Sequence, residues 1–137
     1  MAGEIVVGYD GSSGARAGLD AAIDMAKKLS GDLVIVYAYE VSRFGGEVKD
    51  LAAALLERGQ ALVVEASQIA NAAGLDARVE VVEAHPAEAL VDVASSAGAQ
   101  LIVIATRGEK PLRGVLVGSL APKLLHLATV PVLVVPA

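Results

Sequence analysis

The chain has 137 residues, a net charge of −5, no cysteine and no tryptophan. The missing cysteine excludes disulfide staples, thiol nucleophiles and cysteine metal sites, and one Phe with three Tyr argues against a stacking surface for single-stranded nucleic acid. The length fits a single domain, residues 1–137, with a sizeable core of Ala, Val and Leu. No apolar run approaches the roughly 20 residues of a membrane span and no basic-then-apolar leader precedes Glu4, so the chain is expected to be soluble and cytoplasmic, with no membrane partner.

Strand and helix signals alternate from the start. Ile5–Gly8 is a short apolar run of buried-strand type. Asp10-Gly11-Ser12-Ser13 has helix-capping chemistry, and an amphipathic pattern follows to about Leu29, closed by Ser30-Gly31. Leu33–Ala38 predicts a second strand. After Gly45-Gly46 a long helix is predicted from about Glu47 to Ala73, with Gly74 as its stop. Gly59 lies inside that helix at a cost of about 1 kcal/mol relative to Ala. Val79, Val81 and Val82 mark a third strand. Pro86 opens a helix that Gly98 ends after Ala97, Gln100–Ala105 is a fourth strand, Ser119–Leu127 a last helix and Val130–Val135 a fifth strand. Pro122 falls in the first turn of the last helix, where a missing N–H is tolerated. His85 reads as an exposed turn residue before Pro86, and His126 lies in the last helical turn. Neither has metal-binding spacing.

The order β-α-β-α-β-α-β-α-β, with continuous Val/Ile runs, predicts an α/β fold with a parallel sheet covered on both faces. Such sheets bind ligands at the carboxyl ends of their strands, where strand order reverses. Two polar strand ends qualify: Tyr9-Asp10-Gly11 and Ala105–Gly108. Asp10 reads either as a capping acid for the first helix or as a ligand carboxylate, two roles that are compatible.

Charge singles out the second of these ends. Residues 105–137 hold Arg107, Lys110, Arg113 and Lys123 against one acid, Glu109, a net +3 that leaves −8 on residues 1–104. A strand, a basic glycine-containing loop and a fresh helix N-terminus at Gly118-Ser119 are the parts of a phosphate site, because unpaired N–H groups and the helix dipole favour an anion. A local basic loop on an acidic chain suits a small anionic ligand better than nucleic acid.

On these residues the chain resembles the universal stress protein family over essentially its full length. The matching elements are Val6-Val7-Gly8-Tyr9-Asp10-Gly11-Ser12, the Gly108-(nine residues)-Gly118-Ser119 spacing and the closing Pro131-Val132-Leu133-Val134-Val135. The resemblance implies an open, Rossmann-like sheet of order 3-2-1-4-5 with two helices on each face. It also implies an ATP-binding sensor or adaptor in the stress response, rather than an enzyme, holding ATP with or without Mg²⁺. The nucleotide-binding positions carried over are Asp10 and Gly11 near the ribose, the Ala38 backbone at adenine, and Ile104 beneath the nucleoside. Gly108, Gly118 and Ser119 match the phosphate-binding positions, and Ala105, Arg107 and Leu120 are carried over beside them as nucleotide-binding. A homodimer through Val130–Val135 is implied as well.

Two residues depart from the family pattern. Ala105 replaces a glycine, at about 1–2 kcal/mol if the position needs a positive φ. Ala121 replaces a Ser or Thr, removing a charge-assisted hydrogen bond of about 1.5–3 kcal/mol. Together they predict ATP binding weakened roughly a hundredfold or more relative to a full-motif relative, and they keep open the alternative of a dimeric stress protein that binds no nucleotide and acts through protein contacts. A phosphoacceptor receiver domain is disfavoured, since no acceptor aspartate follows strand three and no lysine follows strand five.

Overall fold

In a computed structural model, which describes residues 3–41, 48–106 and 120–136, the alternating signals become nine elements. They are β1 (Ile5–Gly8), α1 (Ser13–Leu29), β2 (Leu33–Tyr39), α2 (Val48–Ala72), β3 (Ala77–Glu83), α3 (Pro86–Ala97), β4 (Leu101–Ala105), α4 (Leu120–Leu127) and β5 (Val132–Val135). The five strands form one sheet in the order β3-β2-β1-β4-β5, every pair parallel. The expected strand order and helical layers are therefore present.

The continuous apolar runs have a direct cause. Successive side chains in a strand point to opposite faces, so a sheet covered on both sides needs an apolar residue at every position. Ile5, Val7, Leu33, Ile35, Leu101 and Val103 face one core with α1 and α2 residues such as Leu19, Ala22 and Ala66. Val6, Val34, Val36, Ile102 and Ile104 face the other, with Leu90 and Val93 of α3 and Leu124 of α4. The edge strands β3 and β5 are only half-buried at most of their inward positions.

Element ends follow local chemistry, with two departures. β5 begins at Val132 rather than Val130, because Pro131 has no N–H to donate, although its carbonyl accepts from Ile102 N–H at 3.0 Å. At the end of α1 the left-handed residue is Ser30 (φ 54°), not Gly31. Gly31 is needed for space instead: a Cβ there would lie 2.6 Å from the Gly3 carbonyl oxygen. Gly74 (φ 90°) and Gly98 (φ 64°) end their helices in the left-handed region, as expected.

The glycine inside α2 is also explained by packing. A Cβ on Gly59 would lie 2.7 Å from Cε1 of the buried Tyr37 ring and 3.0 Å from Val81 Cγ1, so this helix sits on the sheet at glycine distance. Gly59→Ala should therefore destabilise the fold, by up to about 2 kcal/mol, because overpacking of about 1–3 kcal/mol outweighs the propensity gain of about 1. Urea unfolding measures it; an increase in stability would show that the propensity term wins.

Candidate functional site

The site is set by a difference in strand length. β1 stops at Gly8, which lies opposite Val36, and its last ladder contact is Tyr9 N–H to the Val36 carbonyl at 2.9 Å. β2 continues to Tyr39 and β4 to Ala105, so a notch opens over the end of β1 between its two neighbours. It lies at the carboxyl edge, where the order turns from β3-β2-β1 outward to β4-β5, the switch point of a doubly wound sheet.

Backbone polarity lines the notch. In a parallel ladder alternate residues address alternate neighbours. Val36 accepts from β1 and Tyr39 accepts from Ala84 on the β3 side, at 3.0 Å. Ala38 therefore turns its N–H and C=O toward β1, beyond the point where that strand has left the sheet. No backbone bond reaches it from that side among the described residues. On the opposite wall Thr106 N–H donates to the Val135 carbonyl at 2.9 Å, which leaves the Ala105 carbonyl on the β1 side. A donor and acceptor pair at an open, half-buried edge is ready for a ligand that offers both.

Asp10 stands at the tip of the notch. Its Oδ1 accepts from Ser12 N–H at 3.0 Å and from Ser12 Oγ at 2.6 Å, and Ser12 Oγ in turn accepts from Ala15 N–H at 3.1 Å. The cap of α1 is thus Ser12, and Asp10 supports it from outside the helix instead of capping it directly. Oδ2 of Asp10 carries no hydrogen bond among the described residues. Gly11 turns the chain at φ +83°, which favours glycine, and a Cβ there would sit 2.5 Å from Leu62 Cδ2 and displace that methyl.

Ala105 shows that the first departure from the family pattern has no conformational cost. It is the last residue of β4 and lies outside the positive-φ region. Its methyl faces α1 above Gly18, where an added Cβ would lie 3.7 Å from it. Ala121 is half-buried against the α3 and α4 core together with Leu120 at the start of α4. Ile104 is 1% exposed and packs in that same core. Arg107, Gly108, Gly118 and Ser119, with Lys110 and Arg113, lie outside the described residues.

His85 is more than a turn residue: its Nδ1 accepts from Ala87 N–H at 3.1 Å and caps α3. Glu65 carried no signal in the sequence, and Tyr9 entered only as part of the polar strand end Tyr9-Asp10-Gly11. Tyr9 is 5% exposed, and its hydroxyl donates to Glu65 Oε2 of α2 at 3.1 Å, across 56 positions of chain. Burial and then the bond to Glu65 raise the Tyr9 phenol above its ordinary value of 10.0, with nearby Arg16 opposing. Only the placement of a Tyr in a Val/Ile strand pattern could have marked it. Among the described residues no group of three or more His, Asp or Glu could hold a metal ion, and no helix is long and apolar enough to cross a membrane.

Comparison with known proteins agrees with this geometry. The profile of the universal stress protein family matches residues 1–136. A universal stress protein of Methanocaldococcus jannaschii is 31% identical, the match covering 96% of this chain and 81% of that one. A universal stress protein from Burkholderia pseudomallei superposes with a TM-score of 0.80 at 30% identity, over 98% and 96% of the two chains. A universal stress protein solved in complex with cAMP superposes with a TM-score of 0.76 at 29% identity, covering 98% of each chain.

Proposed function

We propose that this chain, which belongs to the universal stress protein family, holds ATP or a related adenine nucleotide in the notch over β1 and works as a cytoplasmic sensor or adaptor rather than as an enzyme. The observation that carries this reading is the Ala38 backbone edge near Asp10, which meets no backbone partner on its β1 side among the described residues. Adenine offers an amino donor and a ring-nitrogen acceptor side by side, which complement the Ala38 carbonyl and N–H. Asp10, held through Oδ1, keeps Oδ2 to accept from ribose hydroxyls. Gly108, Gly118 and Ser119, with Arg107, receive the phosphates in this reading, as the family motif implies, and Mg²⁺ would arrive with the nucleotide. The related structure that contains cAMP supports an adenine ligand for this fold at this level of identity.

The strain-free Ala105 removes one of the two reasons for weak binding and leaves the lost hydroxyl at Ala121. The second partner is another copy of the chain. β5 is an edge strand without a charged residue, and its pairing across a two-fold axis would extend the sheet. Calorimetry with ATP, AMP and GTP tests the ligand. Adenine nucleotides should saturate the protein, and GTP should bind about tenfold or more weakly, because the guanine carbonyl cannot donate to the Ala38 carbonyl. No heat of binding up to about 5 mM ATP, equivalent to less than about 3 kcal/mol of binding free energy, would favour the dimeric protein without nucleotide.

A further inference from the structure

We propose that Glu65, acting through the Tyr9 hydroxyl, is a positioning residue for Asp10, so that helix α2 sets how strongly the notch distinguishes ribose from its deoxy forms. The inference rests on the nucleotide reading above and adds an element that lies outside the motif positions.

Asp10 is flanked by two residues that α2 holds. On one side the Tyr9 hydroxyl donates to Glu65 Oε2 at 3.1 Å. On the other, the Gly11 backbone packs so closely on Leu62 that a Cβ would lie 2.5 Å from its Cδ2. Leu62 and Glu65 are three residues apart and share one helical face. The same stretch of α2 therefore grips the loop immediately before and immediately after the carboxylate.

The loop needs such a grip. Its last backbone bond to the sheet is Tyr9 N–H to Val36, and Gly11 is in the left-handed region. Between these points the bonds to Asp10 among the described residues come from Ser12, whose N–H and hydroxyl both use Oδ1. A phenylalanine would fill the core as well as the Tyr9 ring does. The hydroxyl has a different use: it anchors the residue preceding Asp10 to a carboxylate on another element.

The test uses the full chain with Tyr9→Phe, Glu65→Leu, Glu65→Gln and the Tyr9→Phe/Glu65→Leu double variant. Two quantities are read: hydrogen exchange of the Ser12 amide without ligand, and the ratio of AMP to 2′,3′-dideoxy-AMP affinity by calorimetry. Tyr9→Phe and Glu65→Leu should each speed Ser12 exchange by about tenfold and lower the affinity ratio by roughly three- to tenfold. Glu65→Gln keeps an acceptor for the hydroxyl and should retain both properties, and the double variant should be no worse than either single one. Ile23→Val, a core change farther along α1, should leave the ratio unchanged even where it lowers stability. Unaltered Ser12 exchange and an unaltered ratio in Tyr9→Phe and Glu65→Leu would overturn the proposal. A parent protein that binds neither nucleotide sinks the nucleotide reading and ribose selection with it, whereas the Ser12 exchange still decides whether Glu65 positions Asp10.

Discussion

Ile104→Ala is expected to destabilise the protein by about 2–5 kcal/mol, the range for removing a fully buried aliphatic side chain. Ile104 is 1% exposed and sits among Val6, Leu90 and Leu124 in the core beneath α3 and α4. Little can collapse into the space it leaves, because β4 is hydrogen-bonded to β1 on one side and β5 on the other. A domain of this size is stable by about 5–15 kcal/mol, so this single change removes a large fraction of the total. Ile104→Val should cost only about 0.5–1.5 kcal/mol. Urea unfolding at constant slope checks both. The folded fraction of either variant should bind AMP as the parent does, and a loss of affinity without a loss of stability would show that Ile104 serves the ligand and not the core.

Ile104 also shows where sequence reading succeeds and where it stops. That it lies in a buried strand follows from the run Leu101–Ala105, and the structure has that strand. Which face it occupies depends on register, since Val103 and Ala105 point toward α1 while Ile104 points the other way. Family resemblance marks the position as near the nucleoside, and only the packing shows that its side chain is occupied by core contacts. Ala105 is the complementary case. Its departure from glycine looks costly when φ is unknown and is neutral once the residue is seen in β4. Gly59 reads as a propensity defect because the partner that requires it, Tyr37, lies on another element. The Asp10 to Ser12 turn was legible because its physics is local, within three residues. The Tyr9 to Glu65 bond was not, because nothing in either segment names the other across 56 positions.

Asp10→Ala should lower adenine-nucleotide affinity by about 10- to 150-fold, corresponding to about 1.5–3 kcal/mol for a hydrogen bond to a charged group. The loss has two sources. Oδ2 is the oxygen available to the ribose, and Oδ1 orders the turn by accepting from Ser12 N–H and Oγ. Removing the carboxylate releases the Ser12 hydroxyl, but the cap survives, because Ser12 Oγ itself accepts from Ala15 N–H. Stability should therefore fall by no more than about 1 kcal/mol, the worth of an ordinary hydrogen bond, well below the effect of Ile104→Ala. Asp10→Asn separates the two sources. Its amide oxygen can still accept from Ser12, so the turn is retained, while the remaining amide nitrogen cannot accept from a hydroxyl. If Oδ2 serves the ribose, Asp10→Asn should keep the parent's stability and lose most of the affinity. Calorimetry with AMP and 2′,3′-dideoxy-AMP makes the comparison sharper, because the dideoxy ligand has no hydroxyl for Asp10 to accept from. Its affinity should be nearly equal in the parent and in Asp10→Asn, and a matching loss for both ligands would place Asp10 outside the ribose contact.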